Sequence, residues 1–131
     1  GNTVTGNGGI GITDSDSPET TISNNIVSGN KGGGIRPILG ASDRGSGTFG
    51  PFDLHNVLVS NNTVDMLPGT ISGLVDLQGT SSFSAAKNNH FTGNKWTVHD
   101  TGKYLSWNGP KQTFAAWQGF GNDLTGSYTV K

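Results

Sequence analysis

The 131-residue sequence contains no cysteine, which excludes disulfide bonds, a thiolate nucleophile and cysteine-based zinc sites. Charge is also scarce: 13% of the residues are charged, and 8 basic against 9 acidic residues give a net charge of −1. No basic stripe is present, so we expect no nucleic-acid partner. No apolar run approaches the roughly 20 residues that a membrane helix needs, so we expect no membrane partner either.

Hydrophobic residues are few as well, at 31% of the chain, whereas Gly, Asn, Ser and Thr together account for 63 residues. This composition is too poor in Leu and Ala for a helical bundle and too low in charge for a disordered tail. It also lacks the Gly-x-y period of collagen. Short buried strands joined by small polar links would account for it, and the sequence therefore predicts an all-β protein.

An Asn-rich pattern recurs four times, each time with a large apolar residue two positions after an anchoring Asn. The anchors are Asn2, Asn25, Asn62 and Asn89, and the apolar residues are Val4, Val27, Val64 and Phe91. The anchors are 23, 37 and 27 residues apart. A spacing of 23 suits one coil of a parallel β-solenoid with three short strands, stacked at about 4.8 Å. The spacing of 37 then includes an insertion at about residues 40–52, whose Gly, Ser and Pro content indicates a loop.

Asn has a physical role at the corners of such coils because it tolerates the left-handed backbone of a tight turn. We expect Asn24, Asn61 and Asn88 to lie one above another. Beside them we expect a hydrogen-bonded ladder of side-chain amides formed by Asn25, Asn62 and Asn89. The alternative is that these residues are ordinary turn formers that make no ladder.

With this repeat, residues 1–107 resemble the right-handed parallel β-helix superfamily, in particular secreted pectate-lyase-like proteins. The resemblance implies a right-handed parallel β-helix (solenoid) of about four to five coils, in a protein that is secreted or held at the cell surface. It is specific for architecture rather than activity, because the fold carries lyases, hydrolases, epimerases, tailspikes and adhesins. The sequence starts at Gly1 within the first copy, so we expect upstream coils of the same protein, or another chain, at that end.

The tail carries a second resemblance. Residues 113–127 are similar to the closing segment of secreted bacterial carbohydrate-active β-helix proteins, where a Phe-x-x-Trp-Gln helix precedes a Gly-x-Asp-x-x-Ser-like stretch. We therefore expect residues 108–131 to form a C-terminal cap containing a short helix that starts at Pro110 and ends at Gly119. The side chains expected to pack in this cap are Phe114, Trp117 and Phe120.

Candidate functional residues follow from the alternation of side chains in strands. A residue directly after an inward aliphatic one should point outward, so Thr13, Arg36 and Asp76 should form one exposed row on successive coils. Asp14, Asp16 and Glu19 lie just beyond the first of these strands and would add carboxylates. The predicted substrate-binding residues are Thr13, Asp14, Asp16, Arg36 and Asp76.

The resemblance implies that Arg36 and Asp76 are candidate catalytic residues. Polysaccharide lyases of this fold use Arg or Lys beside the substrate, often with a carboxylate-bound Ca²⁺, and a cation near a uronate lowers the cost of removing its α-proton. The paired-Asp and Gly-His-Gly motifs of polygalacturonases are missing. The alternative is that Arg36 and Asp76 form a surface ion pair of small energetic value.

Asp14 and Asp16 alternate with Ser in a way that could chelate Ca²⁺, although Asp and Ser are also ordinary turn residues. His55, His90 and His99 lack metal-ligand spacing, and we expect them to make surface or cross-coil polar contacts. Aromatic side chains that could stack on sugar rings, unless the core buries them, are Phe49, Phe52, Trp96, Tyr104 and Trp107.

Two functions are consistent with these features. The first is the C-terminal segment of a secreted β-helix protein that binds or processes polysaccharide, as a lyase or a glycoside hydrolase, since an elongated sheet face suits a linear polymer. The alternative is a non-catalytic structural segment of a fibre, an adhesin or a tailspike-like protein.

Overall fold

The computed structural model describes residues 1–48, 50–107 and 109–131. Short β-strands dominate these residues, and their helical structure is one six-residue α-helix and one 3₁₀ turn. The protein is therefore all-β, with small, mostly parallel sheets. Thr, Val and Ile favour the strands, while Gly and Asn supply the corners that end them. Within the described residues, no helix is long and apolar enough to cross a membrane.

The strands are two to seven residues long. In chain order they are β1 (Thr3–Thr5), β2 (Ile10–Ser15), β3 (Thr21–Ser23), β4 (Ile26–Ser28), β5 (Gly33–Leu39), β6 (Ser46–Gly47), β7 (Gly50–Pro51), β8 (Leu58–Ser60), β9 (Thr63–Met66), β10 (Ser72–Gly73), β11 (Val75–Asp76), β12 (His90–Thr92), β13 (Lys95–Val98), β14 (Leu105–Ser106), β15 (Lys111–Gln112) and β16 (Ser127–Val130). The 3₁₀ turn is Ala85–Lys87, and the helix α1 is Phe114–Gly119.

The largest sheet has five parallel strands in the order β1, β4, β9, β13, β16. Three positions are in register through all five strands, and the central one holds Val4, Val27, Val64, Trp96 and Tyr128. We expected Phe91 to be the fourth member of this set. That prediction is wrong, because Phe91 lies in another sheet opposite Val59. In the fourth copy of the repeat, β12 follows Asn89 and β13 follows Asn94. The second of these strands, β13, pairs with all four residues of β9.

Three smaller sheets accompany the five-stranded one. Strands β2, β5 and β11 are parallel with β5 in the middle, and strands β3, β8 and β12 are parallel with β8 in the middle. Strands β10 and β14 are also parallel, and β15 joins them antiparallel. In each of the three sheets built only of parallel strands, the strand that comes first in the chain lies at an edge: β1, β2 and β3.

The core is a narrow column of aliphatic side chains that becomes aromatic toward the C-terminal end. Phe91 packs edge-on against Trp117, with ring centroids 4.8 Å apart, and Trp107 contacts the same indole at 5.8 Å. Trp96, Tyr104 and Trp107 are all buried, so the core rather than sugar contact explains them. Phe49, another of the aromatic candidates, lies outside the described residues.

A column of side-chain amides, buried except at its first member, runs along the five-stranded sheet. Each Asn in it donates both its backbone N–H and its Nδ2 to one Oδ1 of the next member, at 2.9–3.1 Å. The members in order are Asn2, Asn25, Asn62, Asn94 and Asp123. The repeat predicted that Asn89 belongs to this column. That prediction is wrong, because the Oδ1 of Asn89 accepts from the backbone N–H of Val57 at another corner.

The left-handed corners show the same shift in the fourth copy. Asn24 and Asn61 have φ values of 58° and 55° and occupy equivalent corners after β3 and β8. The next equivalent corner is Gly93, because β8 pairs with β12. Asn88 lies over Asn56 instead, donating from Nδ2 to its Oδ1 at 2.8 Å. The predicted stack of Asn24, Asn61 and Asn88 is therefore wrong at its third member.

The expected insertion at residues 40–52 contains a small antiparallel hairpin. Its strands β6 and β7 pair Ser46 with Pro51 and Gly47 with Gly50. Asp43 accepts a hydrogen bond from the backbone N–H of Gly45, which shapes the turn before the hairpin. The chain leaves the parallel sheets after β5 and returns to them at β8.

The helix of the tail does not start at Pro110. Thr113 is its N-cap residue, with an extended backbone and a side-chain oxygen that accepts from the N–H of Ala116 at 3.2 Å. The helix ends at Gly119, as expected. Trp117 is fully buried, whereas Phe114 is half-buried and stacks on Tyr128. Phe120, expected in the cap or core, is 47% exposed because it follows the last helical turn.

Asp123 joins this tail to the end of the amide column. One carboxylate oxygen accepts the backbone N–H and the Nδ2 of Asn94, and the other accepts the indole N–H groups of Trp96 and Trp117 at 2.8 and 2.9 Å. The backbone N–H of Asp123 also donates to the carbonyl of Phe91, which covers the edge of β12. Residues 108–131 thus contain a further parallel strand, β16, as well as the helix.

Candidate functional site

The expected row of Thr13, Arg36 and Asp76 is only partly formed. Thr13 lies directly opposite Arg36 in register, and its hydroxyl donates to the Arg36 carbonyl at 2.9 Å. Asp76 is opposite Leu39, so it lies three positions along β5 from Arg36. The expected ion pair of Arg36 and Asp76 is absent from the described residues. The prediction that Asp76 continues the row of Thr13 and Arg36 is therefore wrong.

The carboxylate of Asp76 is used to hold its own loop. It accepts backbone N–H groups from four residues at 2.8–3.1 Å: Gln78, Gly79, Thr80 and Ser82. Burial alone would raise the pKa of Asp76, but these hydrogen bonds outweigh it and hold the pKa below its ordinary value. A carboxylate stabilised in this way is a poor general base, so we do not retain Asp76 as a catalytic candidate.

Asp14 and Asp16 are both buried, at 7% exposure, on the inward side of β2 and the turn that follows it. Burial raises the pKa of Asp14, more than contacts with Ser17 and Thr20 lower it. Asp16 accepts from the backbone N–H of Gly40 at 2.6 Å and faces the Arg44 guanidinium at 3.6 Å. In the part of the chain that the structure describes, no group of three His, Asp or Glu side chains could hold a metal ion. Within those residues, no third carboxylate or imidazole therefore joins Asp14 and Asp16 as a ligand set.

A cleft of ≈ 870 Å³ lies between the turn after β2 and the inserted hairpin. Phe52, which is 43% exposed, forms part of its wall and also lines a smaller adjoining hollow beside Arg44. Gly47 allows the hairpin to lie close against this ring, because a Cβ there would be 2.7 Å from the Phe52 Cζ. The described lining residues are Asp16, Ser17, Pro18, Glu19, Gly47, Thr48, Gly50 and Phe52.

Glu19 connects this cleft to a chain of charged groups. Its carboxylate accepts from the side-chain amide of Asn56 at 3.0 Å and lies 3.9 Å from His55 Nε2. The other imidazole nitrogen of His55 is hydrogen-bonded to Asp53, and Lys87 donates to the second oxygen of Asp53 at 2.5 Å. Burial raises the pKa of Asp53, but the contacts with Lys87 and His55 outweigh it and lower the pKa. Asp53 thus orients His55 behind the cleft.

The other two histidines make polar surface contacts, in line with expectation. His90 Nε2 is 2.6 Å from the Oδ1 of Asn88, and His99 Nε2 is 2.7 Å from a carboxylate oxygen of Asp65 on the neighbouring strand. Neither residue lines the cleft.

Sequence reasoning named Asp16, Glu19, Phe52 and His55 separately but did not bring them together. It missed Arg44 and Asp53. The available signal was that Arg44, Phe52 and Asp53 stand in or directly after an insertion that is otherwise rich in Gly and Ser. Comparison of the chain with protein-family models, with curated proteins and with solved structures finds no match.

Proposed function

We propose that the parallel sheets are the faces of a right-handed parallel β-helix, as the resemblance to pectate-lyase-like proteins implies. The five-stranded sheet supports this, because chain-consecutive segments pair in parallel with spacings of 23, 37, 32 and 32 residues. Connections between parallel strands of one sheet are right-handed in about 98% of cases. The resemblance also supports a secreted or cell-surface protein.

The function that the geometry supports best is binding of a polysaccharide in the Phe52 cleft. The observation that carries this proposal is the exposed ring of Phe52 on a cleft with carboxylates and hydroxyls. The apolar face of a sugar ring can pack on an aromatic side chain, while its hydroxyls need hydrogen-bond partners such as Asp16, Ser17 and Glu19. The cleft is also open to solvent at Glu19, whose side chain is 71% exposed.

The negative charge of the cleft favours a neutral polysaccharide over an acidic one. Its wall carries the carboxylates of Asp16 and Glu19, and the guanidinium of Arg44 is already close to Asp16. A uronate would bring a further negative charge to this surface, whereas neutral sugars would bring only hydroxyls. We therefore expect neutral polysaccharides to bind more tightly than polygalacturonate.

The test is to measure binding of the protein to a panel of soluble neutral and acidic polysaccharides by affinity electrophoresis and calorimetry. Phe52→Ala should weaken binding about tenfold, a difference of ~1.4 kcal/mol, without lowering the melting temperature. Phe120→Ala is the matched control, because Phe120 is similarly exposed but lies outside the cleft. Equal binding by the Phe52→Ala variant and the parent protein would reject this site.

The same panel tests whether the protein also processes the polymer. New reducing ends would indicate a glycoside hydrolase, and ultraviolet-absorbing unsaturated products would indicate a lyase. Glu19→Gln is the informative variant, because Glu19 is the exposed carboxylate of the cleft and lies next to the Asp53–His55 pair. Any activity that survives Glu19→Gln unchanged does not use this carboxylate.

A structural role is the second candidate. It is favoured by the position of β1, β2 and β3, each at the uncovered edge of its sheet. A fibre or tailspike-like segment would use such edges to assemble. Failure to bind any member of the panel, together with large assemblies in light scattering, would favour this function over polysaccharide binding.

A further inference from the structure

The backbone holds Glu19 next to His55 at the edge of the Phe52 cleft. The backbone N–H of Glu19 donates to the carbonyl of His55 at 2.9 Å. Glu19 has a φ of 60°, in the left-handed region that is uncommon for a residue such as Glu. A conformation of this kind costs free energy and persists only where the surrounding structure imposes it. The fold therefore fixes the carboxylate of Glu19 beside the imidazole of His55.

The imidazole of His55 lies between two carboxylates. Its Nδ1 is hydrogen-bonded to Asp53, and its Nε2 lies 3.9 Å from the Oε1 of Glu19. Burial would raise the pKa of Asp53, but the contacts with Lys87 and His55 lower it, so Asp53 is ionised and can only accept hydrogen bonds. A neutral His55 must then carry its proton on Nδ1, and the lone pair of Nε2 faces the carboxylate of Glu19.

Protonation of His55 changes the contact with Glu19. While His55 is neutral, two hydrogen-bond acceptors face each other, and their separation of 3.9 Å is too long for a hydrogen bond. An imidazolium places an N–H and a positive charge opposite the Glu19 oxygen, and a small movement of the exposed Glu19 side chain then forms a charge-assisted hydrogen bond. Histidine is the side chain that ordinarily changes charge between pH 5 and 8. The charge at this edge of the cleft therefore depends on pH.

The charged groups that face His55 in the described part of the chain come from three segments. Glu19 belongs to the turn after β2, Asp53 to the segment before β8, and Lys87 to the 3₁₀ turn. Lys87 is paired with Asp53 at 2.5 Å, so these two charges offset each other and leave those of Glu19 and His55. A further titratable group, His90, is separated from Glu19 by two hydrogen-bonded amides, those of Asn88 and Asn56.

We propose that His55 sets the charge of the Phe52 cleft and thereby determines which polysaccharides bind: neutral ones while His55 is neutral, and uronate-containing ones as well once it is protonated. This inference rests on the proposed binding of polysaccharide in the cleft. With His55 neutral, the carboxylates of Asp16 and Glu19 repel an acidic polymer. With His55 protonated, its charge offsets that of Glu19, just as the guanidinium of Arg44 offsets that of Asp16.

The test compares polygalacturonate with a neutral polysaccharide of the panel at pH 8 and pH 5.5, by calorimetry at one ionic strength. We expect the affinity for polygalacturonate to rise about fivefold at pH 5.5, because one unfavourable charge contact is offset. Carboxyl groups ordinarily titrate near about pH 4, so the polymer keeps most of its charge under both conditions. The affinity for the neutral polysaccharide should change less than about twofold, because it has no charge to respond.

Three variants separate His55 from other titrating groups. His55→Gln removes the titrating charge and should abolish the rise in affinity for polygalacturonate. His99→Gln is the matched control and should keep the rise, because His99 also faces an aspartate, Asp65, but lies outside the cleft. Glu19→Gln leaves His55 in place and should raise the affinity for polygalacturonate at pH 8 about as much as acidification does in the parent chain.

A measurement without polysaccharide tests the contact between Glu19 and His55 directly. In NMR spectra recorded from pH 8 to pH 5.5, the Glu19 carboxyl carbon and the His55 ring should shift with the same midpoint. The shift of the Glu19 carbon over this range should be absent in His55→Gln and retained in His99→Gln.

Equal affinity for polygalacturonate at the two pH values, with neutral binding that still depends on Phe52, overturns this inference and leaves the proposed function standing. An undiminished rise in His55→Gln, or separate midpoints for Glu19 and His55, also overturns it. Absence of binding by every polysaccharide at both pH values overturns this inference together with the proposed function.

Discussion

One buried polar side chain, that of Asp123, holds the C-terminal tail to the rest of the fold. Asp123 is fully buried and satisfies two indole N–H groups and two N–H groups of Asn94. These donors come from Asn94 just before β13, from Trp96 within β13 and from Trp117 in the helix α1. A carboxylate suits this position because it offers only acceptors. The tail is therefore held to the sheets by a specific hydrogen-bond centre as well as by apolar packing.

Replacing that carboxylate should be costly. Asp123→Asn places an amide group toward N–H donors, so at least two buried donors lose their acceptor, and we expect a loss of about 2–4 kcal/mol. The measurement is urea unfolding followed by tryptophan fluorescence.

Asp43→Asn is the control for this variant. Asp43 is exposed and its one backbone hydrogen bond can be accepted equally by Asn, so we expect a change within about 0.5 kcal/mol. Similar losses for the two variants would show that the hydrogen bonds of Asp123 contribute little.

At the residue scale, the sequence predicted the roles of some side chains and not of others. The aromatic residues of the core were foreseeable, because large apolar side chains in a chain with few of them are needed inside. The role of Asp76 was not, because four backbone N–H groups from its own loop satisfy it. Nothing in the strand pattern indicates that a carboxylate will be used by the turn that follows.

At the scale of elements, some neighbouring segments pack so closely that one of them must have a glycine at the contact. Gly33 opens β5 with a φ of 123°, in the region that side chains disfavour. A Cβ at Gly33 would overlap the carbonyl oxygen of Ile71, which immediately precedes β10. The approach of these two segments therefore requires a residue without a side chain.

Gly33→Ala should disrupt the contact between β5 and the segment that leads into β10. Both the backbone conformation and the overlap with Ile71 oppose the methyl group, so we expect a loss of at least about 3 kcal/mol. Gly8→Ala is the matched control, because a Cβ there meets nothing within 4 Å. Thermal unfolding by circular dichroism would compare the two, and a melting temperature for Gly33→Ala equal to that of the control would contradict this account.

The fourth copy of the repeat shows where element prediction fails. Asn88–Asn89 and Asn94 both precede short strands, so sequence offers two alignments with the earlier copies. The structure uses Asn94, since the strand after it pairs with four residues of β9 and carries Trp96 into the core. Strand length and the volume of the core decide this choice, and neither is visible in the local pattern.

On the scale of the whole molecule, the two ends of the stack differ. The C-terminal segments carry the helix α1, Asp123 and the antiparallel strand β15, whereas β1, β2 and β3 each have one unpaired edge within the described residues. Local opening should therefore start at β1 and β2, whose apolar residues Val4, Ile10 and Ile12 are only half-buried.

Stability at high pH is a further property of the whole fold. Burial raises the pKa of Tyr104 to about 12, whereas an unfolded tyrosine titrates near 10. Between these values the unfolded chain has released a proton that the folded protein keeps, so stability is lost as pH rises through this range. Tyr104→Phe should reduce this loss.

The measurement is the urea midpoint at pH 8, 10 and 11 for the parent chain and Tyr104→Phe. Tyr128→Phe serves as the comparison, because Tyr128 is only half-buried and should have a smaller effect. If the parent and Tyr104→Phe lose stability in parallel above pH 10, another group controls alkaline unfolding.

The sequence by itself determined the all-β class, the existence of an Asn-led repeat and the insertion that interrupts it. These follow from composition and from short-range spacing, which act within one segment of chain. Only the tertiary structure decided which Asn belongs to the column, that Asp76 faces its own loop, and that Asp16, Glu19 and Phe52 share a cleft. Those outcomes depend on register between segments 23 to 37 residues apart, and register is set by packing across the core.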